Sequence, residues 1–105
     1  NRSMLGIIEP QIPVQVSLYP NYPNPFNPST TIAVNVQKDA DGTLAVFNLQ
    51  GQYVKTLYDG MFQAGIQLFE WDGTDHIDRS VNTGTYIYRL SIGKDIFSRK
   101  MVLLK

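Results

Sequence analysis

His76 is the only histidine, and the chain has no cysteine. A zinc site would therefore have to take most of its ligands from carboxylates, which is not how zinc is usually held. A Ser-His-Asp triad would have to use His76, and no Gly-x-Ser-x-Gly elbow accompanies it. In the turn-like stretch Asp75-His76-Ile77-Asp78, His76 reads as an exposed loop residue. Asp72, Asp75 and Asp78 could gather oxygen ligands around calcium, but their spacing does not match an EF-hand loop. Asp39-Ala40-Asp41-Gly42 places carboxylates two apart before a glycine, with no glutamate closing the loop. In both places Asp and Gly are also simply the residues that turns require. Glu70 falls in an expected strand without a partner for glycoside cleavage. The expectation is a non-enzymatic chain with no metal site and no cofactor.

Recognition is the remaining chemistry. Tyr19, Tyr22 and Tyr58 could form a platform for sugars, although most aromatics of a small sandwich belong to its core. Tyr22-Pro23-Asn24-Pro25-Phe26-Asn27-Pro28-Ser29-Thr30 is more distinctive. Each proline lacks an N–H and fixes φ near −65°, and each pushes its predecessor toward extended geometry. The stretch reads as a stiff, polyproline-like segment in which Asn21, Asn24 and Asn27 share an edge. Phe26 is its apolar anchor. At the other end, Arg99-Lys100-Met101-Val102-Leu103-Leu104-Lys105 is an apolar strand bracketed by cations. It reads as an edge strand guarded by lysine, or as a tag that a receptor pairs with by strand addition. The two readings are compatible.

A length of 105 residues suits one domain. Such a chain buries roughly two thirds of its unfolded surface, enough for a core without staples. Zero net charge and 17% charged residues leave no basic footprint for nucleic acid. No apolar run is long enough to span a membrane. The N-terminal residues lack a signal-peptide pattern, which decides nothing if the chain is the C-terminal piece of a longer precursor.

The elements that position these residues read as strands. Turn signals recur at Asp41-Gly42, Gln50-Gly51, Asp59-Gly60, Ala64-Gly65, Asp72-Gly73, Thr83-Gly84 and Gly93-Lys94. Between them lie runs rich in Val, Ile, Thr, Tyr and Phe. These predict strands near Val14–Leu18, Thr31–Gln37, Thr43–Leu49, Gln52–Leu57, Gly65–Trp71, Thr85–Ile92 and Ile96–Leu103. Tight hairpins are expected at Gln50-Gly51 and Gly93-Lys94. Ile32, Val34 and Val36 alternate with Thr31, Ala33 and Asn35, and Tyr86, Tyr88, Leu90 and Ile92 alternate with Thr85, Ile87, Arg89 and Ser91. A period of two means one buried face. Phe69 and Trp71 point inward together, and one of Tyr86 and Tyr88 ties down a corner through its hydroxyl. About seven short strands without helical periodicity predict an all-β, immunoglobulin-like antiparallel β-sandwich. Residues 1–17 read as a linker from an upstream domain and residues 18–105 as the sandwich.

Four elements occur in order: Tyr22–Thr30, Trp71-Asp72-Gly73-Thr74-Asp75, Gly84-Thr85-Tyr86-Ile87-Tyr88-Arg89-Leu90 and Lys100-Met101-Val102-Leu103-Leu104-Lys105. From Leu18 to Lys105 the chain resembles the type A C-terminal sorting domain of the type IX (Por) secretion system. It is also similar to the related immunoglobulin-like module of the flagellar hook-capping protein. The resemblance implies export through the periplasm of a Bacteroidetes-like bacterium, with the domain last in its cargo protein. It implies the outer-membrane translocon, a surface sortase and an upstream cargo domain as partners. The cargo would end secreted or at the cell surface. On this resemblance Lys100, Met101, Val102, Leu103, Leu104 and Lys105 form the sorting motif. Gly84, Thr85 and Tyr86 match the family's internal motif. Pro23, Asn24, Pro25, Phe26, Asn27 and Pro28 match its proline motif. Asp78-Arg79-Ser80 stands where the hook-cap-like pattern usually has a second glycine. Two other expectations are a structural module that spaces or docks a neighbouring domain, and a carbohydrate-binding accessory domain of a secreted enzyme.

Overall fold

The computed structural model describes residues 15–105. Most of the linker read at 1–17 lies outside the described residues. Seven strands follow in order: β1 (Val16–Leu18), β2 (Thr30–Val36), β3 (Ala40–Asn48), β4 (Tyr53–Phe62), β5 (Gly65–Trp71), β6 (Gly84–Ile92) and β7 (Asp95–Leu103). They form two sheets of order β1-β2-β5 and β4-β3-β6-β7, and every strand pair is antiparallel. This is the expected immunoglobulin-like sandwich. Compared with the constant-type arrangement, the fourth strand sits beside the third rather than in the sheet of the first.

Alternation builds the core. Ile32, Val34 and Val36 of β2 face Leu44 and Val46 of β3 and Tyr86, Tyr88, Leu90 and Ile92 of β6, all buried. Met101 and Leu103 of β7 and Trp71 of β5 complete the layer. Phe69 packs against it from the same side of β5 as Trp71. The corner tyrosine is Tyr86, whose hydroxyl donates to Asn82 O at 2.6 Å. Tyr88 ties the sheets together by donating to Tyr19 O at 2.7 Å.

Two expected turns are not turns. Asp41-Gly42 lies inside β3 and Asp59-Gly60 inside β4, and the two glycines pair with each other. The reason is a close approach. A Cβ on Gly42 would sit 2.7 Å from Ser91 O and 3.1 Å from the Phe62 ring. Glycine at this position lets β6 and Phe62 close over the strand. We expect Gly42→Ala to cost about 1–3 kcal/mol through overpacking. An unchanged denaturation midpoint would contradict this.

The hairpin read at Gln50-Gly51 is a longer loop centred on Leu49-Gln50. Gly51 N donates to Asn48 O at 3.0 Å. Asn48 Oδ1 accepts Gln50 N and Gln52 N at 3.0 and 2.9 Å, so the asparagine side chain sets the turn. The β6–β7 hairpin is tight at Gly93-Lys94, with Ile92 paired to Asp95.

Candidate functional site

The proline motif does not form a polyproline rod. Tyr22 and Thr31 exchange two backbone hydrogen bonds of 2.9 Å, which closes the stretch into a loop. The loop bends at 23–25 and at 27–28. Its peptide bonds at Tyr22-Pro23, Asn24-Pro25 and Asn27-Pro28 are cis. The asparagines do not share an edge. Buried Asn21 donates Nδ2 to Thr30 Oγ1 at 3.0 Å and to Pro23 O at 3.2 Å. Asn24 reaches away instead, its Oδ1 accepting Val102 N at 3.0 Å. Asn27 lies exposed.

Phe26 explains this path. It is 2% exposed, and its backbone pairs in parallel with the terminal strand at Leu103. Phe26 N donates to Val102 O at 3.0 Å, and Leu104 N donates to Phe26 O at 2.9 Å. Its ring lies 5.7 Å from that of Trp71. Pro23, Asn24, Pro25, Asn27 and Pro28 remain exposed around it.

The other motif residues meet at the same place. The Trp71 ring stands edge-on to Tyr86 at 5.2 Å, and its Nε1 donates to Thr74 O at 2.9 Å. Gly73 has φ +77°, and a Cβ there would lie 3.2 Å from Pro28 O and 3.6 Å from a Leu103 methyl. Glycine is thus required both by conformation and by packing. Gly84, Thr85 and Tyr86 pair with Leu103, Val102 and Met101. Met101 and Leu103 are fully buried. Beyond them, Lys105 N donates to Thr83 Oγ1 at 3.0 Å and Lys105 Nζ to Ser80 Oγ at 2.7 Å. The strand end is therefore held between the proline motif and the 80–83 loop. Its outward residues differ from its core residues: Lys100 and Lys105 are exposed, Leu104 is 49% exposed and Val102 is half-buried.

The aspartates of the 72–78 loop serve the loop itself. Asp72 Oδ1 accepts both the hydroxyl and the N–H of Thr74. The Thr74 hydroxyl holds the Asp72 carboxyl below the ordinary value of 3.8. Asp75 accepts Arg79 N and Ile77 N at 2.9 and 3.0 Å, and these bonds likewise depress its pKa. Such stabilisation is present above the ordinary value of 3.8 and is lost as pH falls through the lower folded values. Among the described residues no group of three His, Cys, Asp or Glu side chains gathers around a common point.

Asp78, which stands where a glycine is usual, is the one non-glycine residue with positive φ, +61°, among the described residues. Aspartate tolerates this region better than other side chains. Its carboxylate also meets Lys55 Nζ at 3.1 Å. We expect Asp78→Val to cost about 1–2 kcal/mol, and Asp78→Gly to leave stability within about 0.5 kcal/mol, because the exposed ion pair it removes is weak. Equal melting of the two variants would contradict this.

The expected sugar platform changes membership. Tyr19 and Tyr22 are 39% and 81% exposed, but Tyr58 packs between Phe62 and Phe69 and donates its hydroxyl to Met61 O. Tyr53, which no sequence signal singled out, is 48% exposed and lies 5.7 Å from the exposed His76 ring. Arg99 was also not legible: its Nε donates to Leu18 O at 2.6 Å and bridges the two sheets.

The FlgD Ig-like domain profile matches residues 24–95, which excludes most of β7. No curated protein matches the chain. Among solved structures, one similar chain is dimeric latent PorU from Porphyromonas gingivalis. It has a TM-score of 0.73 and 17% identity over 93% of this chain. Another is PorZ of the same organism, described as an essential bacterial surface component of the type IX secretion system. There the TM-score is 0.53, with 17% identity over 88% of this chain. The chain spans only 10% and 11% of those two proteins, and the likeness is one of fold.

Proposed function

This chain belongs to the FlgD Ig-like domain family, and on that footing we propose that it is a non-catalytic sorting domain. It directs an attached cargo protein through the type IX outer-membrane translocon to release or surface anchoring. The observation that carries this reading is the convergence on one strand end. Phe26, Trp71, Tyr86 and Leu103, one from each motif, lie in a single packed cluster. The clamped strand completes the sandwich and at the same time presents Lys100, Val102 and Leu104 outward, so one element can serve as both structural edge and address. Met101 and Leu103 anchor the strand and Lys105 fastens its end to Ser80 and Thr83, while Lys100, Val102 and Leu104 are the side chains a receptor reads. A part of PorZ, which is named as a surface component of this secretion system, resembles this fold over 11% of that protein's length, which supports the setting. The location would be the cell surface or medium, reached through the periplasm of a Bacteroidetes-like bacterium. A surface sortase and the cargo domain would be the other partners.

The family match favours a second reading, a structural module that docks a neighbouring domain. The two separate by extension. A folded tag appended after Lys105 should block sorting but leave a spacer working. Undiminished export of the extended fusion would favour the structural module.

A further inference from the structure

The terminal strand can be paired by a partner over only part of its length. The outward backbone groups at Val102 and Leu104 are already taken by Asn24 and Phe26. β7 is an edge strand and its register with β6 is unbroken. Backbone groups of alternate residues therefore point away from β6. Counting back from Val102, those of Lys100, Ser98 and Ile96 face outward with no strand beyond them. All three residues are exposed. Beside them an open groove of about 590 Å³ runs between β7 and β1, lined by Val16, Leu18, Phe97 and Arg99 among others.

Charge selects the occupant. Lys94, Arg99, Lys100 and Lys105 lie in this last hairpin and strand, four of the chain's nine cations, against the single carboxylate of Asp95. Among the described residues the ion pairs are Lys55–Asp78 and Arg79–Asp75, so these four cations have no carboxylate partner there. A second copy would bring the same cations to the edge and be repelled. An acidic strand would be attracted. We propose that the outer edge of β7, from Ile96 to Lys100, pairs with an extended acidic strand of a partner protein. It would lie in line with Asn24–Phe26 and place acidic side chains against Lys100, which projects from the face opposite Arg99. This deepens the sorting reading and rests on it for the origin of the partner, since strand addition supplies affinity through the main chain and specificity through side chains.

The test titrates the isotope-labelled 105-residue chain with acetyl-Glu-Val-Glu-Thr-Glu-Val-Glu-amide and with its lysine counterpart. Amide shifts should concentrate at residues 96–100 and along Val16–Leu18. Attraction to Lys100 in the one case and repulsion in the other should make the acidic peptide about fivefold tighter than the basic one. Ser98→Pro removes an outward N–H, a position where an edge strand tolerates proline, and should abolish binding without changing the fold. Lys100→Glu, at an exposed position, should reverse the peptide preference. No binding, equal binding of both peptides, or a preference untouched by Lys100→Glu would overturn the proposal. The same variants in an export assay keep the two readings apart. If peptide binds as expected and the wild-type fusion is not exported, the sorting role fails and the edge site stands. If export is normal and peptide binding is absent, the edge site fails alone.

Discussion

Trp71→Ala should lower unfolding free energy by about 3–5 kcal/mol, the cost of emptying a large buried aromatic site. Trp71 is 1% exposed and touches both aromatic neighbours of the site, Phe26 and Tyr86. Its indole N–H also holds the 72–74 turn through Thr74 O. Removal leaves a cavity and an unpaired Thr74 carbonyl. The loss is a large part of the stability of a domain this size. Chemical denaturation of the purified domain measures it. A midpoint equal to wild type would mean that the indole is not the keystone of the site.

Truncations of the terminal strand should divide sharply. Deleting Lys100–Lys105 strips Met101 and Leu103, both fully buried, and the partners of Gly84 to Ile87 on β6. Each buried side chain is worth about 2–5 kcal/mol, so the deletion approaches the whole stability of a small domain. It should unfold the sandwich, and Leu103→Asp should do much the same by burying a charge. Neither change separates address from fold. Deleting only Leu104–Lys105 removes three exposed or partly exposed hydrogen bonds, from Leu104 N, Lys105 N and Lys105 Nζ, at about 1–2 kcal/mol in total. That domain should still melt cooperatively. Circular dichroism melts of the two truncations check this, and a folded six-residue deletion would contradict the packing described.

The strands were legible where one face is buried and the other is not. β5 begins and ends where alternation places it, at Gly65 and Trp71, and β6 differs from expectation by one residue. Gly42 misled because a glycine that admits a neighbouring strand looks, in sequence, like one that makes a turn, and Gly60 because its positive φ of 154° occurs within a strand. The path of Pro23–Pro28 was not legible for a different reason. Local proline stereochemistry favours an extended rod, but the segment is held by Thr31 and by Leu103, and no local pattern encodes those partners. The motifs themselves could be named from the sequence. Their meeting at Leu103 could not, because it depends on how two sheets stack.

The most direct measurement of the sorting role is export of a periplasmic fluorescent reporter fused to the full chain, in a type IX-competent host. It is made with intact Lys105 and with Leu104–Lys105 deleted, once the melts of the two truncations have established that the shorter domain folds. A sorting domain should bring signal to the surface or medium with the intact end and leave it in the periplasm without it. Equal export of both, or periplasmic retention of both while a known sorting domain exports the same reporter, would contradict it.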